Sequence, residues 1–221
     1  MNKDFILAFE KVLETLNLNT NLLKITNNKI ITPLGDIVPL LIKHKSNLSN
    51  MPIDFNKLKK LTDKLSSSII RLNHVGFCYK TFSNIQEKLR LIKLAKKTKI
   101  HLYEEPSNDD GLWLFLGNTD QWEKPMIEMV PIEKTNDKWK EYWLPHVQID
   151  LDTKLSAQEV ISLVKLIYGN SFKPHFIVIN GVTYIVRCWL GVIDGVNIFL
   201  DLATKARNVE YSRKNILVKL T

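Results

Sequence analysis

Apolar positions change their spacing at Ile69, and that change divides the chain. Before it the spacing is helical, with apolar residues three and four apart. Phe5, Phe9, Val12, Leu13 and Leu16 fall on one side of a helix predicted over 3–17. Phe55, Leu58, Leu61 and Leu65 do the same over 54–67, where Ser66-Ser67-Ser68 ends the run. Between them, Ile30-Ile31 and Ile37 to Ile42 read as short strands. Pro33 and Pro39 limit their length, because proline cannot donate to a strand ladder.

After Ile69 the pattern is mostly strand, and it runs through the same order twice. A strand over 70–80 precedes a helix that starts at the capping-box-like Ser83-Asn84-Ile85-Gln86 and runs to about Lys99. Strands follow at 100–105, 112–117 and 125–132, with a turn at Asn108-Asp109-Asp110-Gly111. A strand over 143–152 then precedes a second capping box, Ser156-Ala157-Gln158-Glu159, whose helix ends at Gly169. Strands follow at 174–179, 182–192 and 196–203, with turns at Asn180-Gly181 and Asp194-Gly195. The basic tail, 207–221, adds a candidate edge strand at 215–220.

The spacings agree. Ser83 follows His74 by nine positions, and Ser156 follows His146 by ten. Such a repeat fixes the architecture. The fold class is α+β: paired βαβββ units, 70–133 and 143–204, within a domain 70–221. A mainly helical extension, 1–69, precedes it and carries no visible chemistry.

Three residues interrupt these strands. Glu128 lies among Met126, Ile127, Met129 and Val130. A carboxylate in such surroundings is costly unless something pairs with it. His146 opens His146-Val147-Gln148-Ile149-Asp150-Leu151, with Gln148 and Asp150 on its own face and the apolar residues on the other. His74 shares its face with Leu72, Gly76 and Cys78 in a regular strand. Two imidazoles and a carboxylate suit a divalent transition metal. Taken singly, each has an ordinary alternative: a hydrogen-bonded core histidine, or a glutamate paired with lysine.

Composition removes some functions. The net charge is +8, yet only five of the 31 basic residues are arginine, at 71, 90, 187, 207 and 213. Arginine is the usual choice for bidentate phosphate contacts, so the lysines read as AT-rich coding and solvated faces, which argues against nucleic acid. No apolar run reaches membrane-spanning length, and the N-terminus lacks a signal-peptide pattern. The expected location is the cytoplasm. Cys78 and Cys188, each within an apolar run, read as buried free thiols. No Ser-His-Asp pattern, phosphate loop or Cys-x-x-Cys is present.

The segments LNHVGF, PMIEMVP and LPHVQIDL, in that order within a duplicated βαβββ unit, resemble the vicinal oxygen chelate superfamily. That is the fold of glyoxalase I, the bleomycin-resistance proteins and the extradiol dioxygenases. The Glu-Met-Val-Pro segment followed by Trp143-x-x-His146 is similar to a small bacterial group of metal-binding members. The resemblance covers about residues 70–204. It implies a cupped mixed sheet, with His74, Glu128 and His146 as ligands to Zn²⁺, Ni²⁺, Fe²⁺ or Mn²⁺. It implies a fourth ligand, a glutamate on the last strand of the second unit. Here the nearest acid is Asp201, with Glu210 as a weaker alternative. Glu128, or a carboxylate at Asp201, would exchange between ligand and general base. Arg187 and Gln148 are the candidate substrate contacts, although an interior ion pair is the preferred reading of Arg187. The implied function is a metal-dependent lyase, isomerase or dioxygenase-type enzyme acting on a small oxygen-chelating substrate. The alternative is a non-catalytic module of the same fold that sequesters a small ligand. A homodimer remains open as the assembly.

Overall fold

In a computed structural model of the chain, residues 3–17, 23–26, 28–32, 35–41, 50–79, 93, 103–104, 114–116, 126–131, 145–152, 154–170, 172, 175–179, 183–204 and 218–219 are described. Both helices of the extension form where the apolar spacing places them. Helix α1 spans Lys3–Thr15 and α2 spans Phe55–Leu65. Asp54 caps α2, its Oδ1 accepting from the Lys57 backbone N–H at 3.0 Å. Three short strands, β1 (Lys24–Thr26), β2 (Lys29–Thr32) and β3 (Gly35–Asp36), make a small sheet between the helices. The strand expected from Ile37 is instead a 3-10 turn over Val38–Leu40. Pro39 fixes its own φ and offers no N–H to a ladder, so the turn wins.

Among the described residues seven strands form the main sheet. Three come from the first unit: β4 (Ile69–Tyr79), β6 (Leu114–Leu116) and β7 (Met126–Pro131), with the short β5 (Tyr103–Glu104) outside it. Four come in the second: β8 (His146–Leu151), β9 (His175–Ile179), β10 (Thr183–Ile193) and β11 (Val196–Thr204). The order is β6-β7-β4-β8-β11-β10-β9. In each unit the first strand runs parallel to the last, β4 with β7 and β8 with β11. The last strand is antiparallel to the one before it, β7 with β6 and β11 with β10. The units meet at the centre through their first strands, antiparallel, with Val75 opposite Val147. Strand β5 pairs instead with β12 (Val218–Lys219), inside the expected edge segment.

Helix α3 spans Ala157–Tyr168 and closes the second unit's crossover. Its capping box is complete: Glu159 Oε2 accepts from the Ser156 N–H at 2.7 Å, and Ser156 Oγ accepts from the Glu159 N–H at 3.3 Å. Gly169 follows at φ +99°, a conformation that favours glycine. The helix expected from Ser83, the Asn108–Gly111 turn, the Asn180-Gly181 turn and Glu210 lie outside the described residues.

One face of the sheet is apolar, and the helices join it in a single core. Phe77, Val147, Ile149 and Leu202 are buried together with Phe5, Phe9, Leu58, Leu61 and Leu65 of the extension. The Phe9 ring lies 5.2 Å from that of Phe77. The extension is therefore part of the core, through the residues its own pattern marked. Among the described residues no helix is long and apolar enough to cross a membrane.

The extension also touches β10 through backbone. Met51 and Val192 exchange two hydrogen bonds, of 3.0 and 2.8 Å, beside a register shift between Trp189 and Gly191. A Cβ at Gly191 would lie 2.5 Å from the Met51 carbonyl oxygen. Backbone cannot swing aside as a long side chain can. Gly191→Ala should therefore destabilise the fold by about 1–3 kcal/mol, in the range of other overpacking changes. Urea unfolding measures it, and a change under about 0.5 kcal/mol, as at an ordinary surface site, would rule out the close approach.

Candidate metal centre

The face opposite the helices is polar, and strand register explains why. Paired residues in a ladder present their side chains on the same face. Glu128 on β7 is opposite Gly76 on β4, and Gly76 is opposite His146 on β8. In the adjacent row, His74 is opposite Gln148, Gln148 opposite Asp201, and Asp201 opposite Arg187. All of these polar side chains are buried.

Gly76 is the gap that the first row needs. A Cβ there would overlap His146 Cε1 and lie 2.6 Å from both ring nitrogens. The imidazole of His146 thus lies over the β4 backbone, and only glycine leaves it room. From that position it reaches its counterpart across the central strand pair. His74 Nε2 and His146 Nε2 are 2.8 Å apart. Glu128 Oε2 is 3.1 Å from the first and 3.3 Å from the second. The two rings meet edge to face, at 86°.

The three donor atoms are close enough together to hold one metal ion. Their separations, 2.8, 3.1 and 3.3 Å, are of the size that one ion bound at about 2.1 Å to each would need. Two imidazoles and one carboxylate suit a divalent ion with open positions. Exposures of 5% for His74, 4% for Glu128 and 2% for His146 put the site out of bulk water. Burial pushes the Glu128 carboxyl up, but the charge of His74 and hydrogen bonding with both histidines outweigh it and hold it well below its ordinary value.

A bulge shapes the near end of β4. Arg71 is opposite Asp150, Leu72 opposite Ile149 and His74 opposite Gln148, so Asn73 is the extra residue of the bulge. In a regular strand Arg71 and His74 would face opposite ways. The bulge puts both on the polar face and turns Leu72 to the apolar one, with Ile149. The regular-strand reading that grouped Leu72 with His74 is corrected accordingly. Asn73 Nδ2 then donates to both oxygens of Asp150 at 2.8 Å, and Asn73 Oδ1 lies 2.9 Å from His74 Nδ1. Arg71 Nε donates to Asp150 Oδ2 at 2.8 Å.

Asp201, the expected fourth ligand, is not among the three donors that converge. The Arg187 guanidinium holds it, Nε to Oδ1 at 2.8 Å and Nη2 to Oδ2 at 2.6 Å. Arg187 is thus paired with Asp201 inside the protein, the ion pair preferred for it from sequence. Gln148 sits between His74 and Asp201 in register, on the polar face. The residues that sequence reasoning missed are Gly76, Asn73, Asp150 and Arg71. Their one signal is a cluster of polar residues in strands that should be apolar, at 71, 73, 74 and 150. Comparison of the chain with protein-family models and with curated proteins finds no match.

Proposed function

We propose that the chain is a metal-binding protein whose His74, Glu128 and His146 hold one divalent transition-metal ion. We further propose that it serves as a metal-dependent lyase, isomerase or dioxygenase-type enzyme on a small substrate with two adjacent oxygens. The convergence of three buried donor atoms from three strands carries this reading. The strand order supports the likeness to the vicinal oxygen chelate fold, with its first strands paired at the centre. In that likeness the polar face is the inside of a cup. A bound divalent ion supplies a Lewis acid that stabilises negative charge on substrate oxygens. The chain's own residues do the rest. Gly76 makes room for His146, Glu128 stays ionised in a dry site, and Gln148 lies where a bound molecule would meet an amide.

Elemental analysis of protein purified without a chelating tag tests the first part. One equivalent of zinc, nickel, iron or manganese is expected. His146→Ala should lose it while keeping the fold, because Val147, Ile149 and Leu151 carry the packing. A folded wild-type chain that neither carries nor takes up any of the four ions sinks the proposal. Acidification should also release the ion, since protons compete for the imidazole lone pairs. Glu128 is held low, so release should begin above the range in which that carboxyl takes a proton. Metal retention followed across a pH series reads this. Retention that does not change with pH through the range in which imidazoles and carboxylates take protons would remove the histidines from the ligand set.

A further inference from the structure

We infer that Arg71, Asp150 and Asn73 form a positioning relay that fixes His74 with a hydrogen on Nδ1 and its Nε2 turned toward Glu128 and His146. The inference rests on the metal-binding reading of that site. It begins at Asp150, which is fully buried. An ionised carboxylate only accepts hydrogen bonds. Arg71 donates to it from one side at 2.8 Å, which keeps the charge in place. The Asn73 group within 2.8 Å of both carboxylate oxygens must therefore be the NH₂ end. That orientation leaves the Asn73 carbonyl facing His74 Nδ1 at 2.9 Å. A carbonyl also only accepts, so Nδ1 carries the hydrogen. With Nδ1 committed to the Asn73 carbonyl, Nε2 is the nitrogen left to bind a metal, once any hydrogen on it has gone. Nε2 is the atom 2.8 Å from His146 Nε2 and 3.1 Å from Glu128 Oε2.

The relay has a further property. Arg71 and Asp150 cancel in charge, and the amide between them and the ring is neutral. His74 is thus oriented as a ligand without adding net charge beside Glu128. A histidine that binds metal through one nitrogen usually gives its other N–H to such a partner, and losing that partner typically weakens the metal about 10–100-fold. The β4 bulge is what makes the relay possible, because the register shift places the Asn73 amide between Asp150 and the His74 ring.

The experiment is nitrogen-15 NMR of the histidine rings in the metal-free full chain, paired with Zn²⁺ titration. Wild-type His74 is expected to carry a hydrogen on Nδ1. Asn73→Leu, similar in volume but unable to hydrogen-bond, should give mixed tautomers and weaken Zn²⁺ about 10–100-fold. Asp150→Asn keeps the shape but removes the lock on the amide, and should shift the tautomer in the same direction. It serves with the wild type if Asn73→Leu does not fold. A wild-type His74 with no hydrogen on Nδ1 overturns the relay. So does a folded Asn73→Leu with wild-type tautomer and affinity. The tautomer is read without metal, so the two ideas separate: Nδ1–H on His74 in a chain that takes no Zn²⁺ supports the relay while the metal reading fails.

Discussion

Gly76→Ala should abolish metal retention, although it changes no donor atom. The added methyl would occupy the place of the His146 ring, 2.6 Å from both of its nitrogens. One of two things must give. Either the ring leaves its position over β4 and the ligand set falls from three to two, or β4 and β8 move apart at the centre of the sheet. The first is cheaper, because Val75 and Val147 hold the strands together from the apolar face. Zn²⁺ affinity is expected to fall by at least about 100-fold, the upper end of what losing an orienting neighbour costs. Away from the clash, alanine in a strand would be worth roughly 0.5–1 kcal/mol over glycine. Overpacking costs about 1–3 kcal/mol, so the variant should be less stable overall. The double variant Gly76→Ala/His146→Ala isolates the cause. With the ring gone the methyl has room, and the double variant should be more stable than Gly76→Ala alone, a coupling that a double-mutant cycle reads directly. Metal held at wild-type affinity by Gly76→Ala would mean that His146 does not bind from above Gly76.

The three donor residues were legible because each breaks an apolar strand at a matching place in a repeat. Asp201 shows how far that logic reaches. Counting along the repeat put it one position from the equivalent of Glu128, and register makes it the equivalent: Glu128 faces Gly76 as Asp201 faces Gln148. Its position was readable, and its partner was not. Asp201 is held by Arg187, its neighbour across β10 and β11, and that pairing depends on a register no single strand contains. The same limit hid the relay to His74. Asn73 and Asp150 are 77 positions apart, and a one-residue bulge brings them together. Without the bulge, alternation assigned Leu72 to the wrong face. Gly76 was visible as a glycine after a histidine, but the reason for it is a ring from another strand. In the extension, apolar spacing marked which faces of α1 and α2 are buried. It did not mark what they are buried against, because the sheet's apolar face is assembled from both units.

Arg187→Met should be among the most destabilising single changes in the chain, by about 3–5 kcal/mol, the usual cost of leaving one member of a buried ion pair alone. The fork is bidentate, at 2.8 and 2.6 Å, and both side chains are nearly excluded from water, Arg187 at 5% exposure and Asp201 at 1%. The guanidinium also lies 5.4 Å from the Phe199 ring centre, a contact that methionine would not reproduce electrostatically. Lysine is no conservative replacement, since a point charge cannot fill the fork. Removing both charges is a different matter. Arg187→Met/Asp201→Leu should recover most of the lost stability, because hydrophobic replacement of a whole buried pair is often neutral or favourable. Urea unfolding of the wild type, both single variants and the double variant gives the coupling. A loss under about 1 kcal/mol for Arg187→Met would put the pair in the class of exposed salt bridges and refute its burial. The double variant also tests the metal site. Neither residue is a ligand in this arrangement, so the folded double variant should keep its ion. If it loses the ion while His74, Glu128 and His146 are intact, Asp201 returns to the ligand set, and the ion pair with Arg187 is the state the side chain leaves when metal arrives.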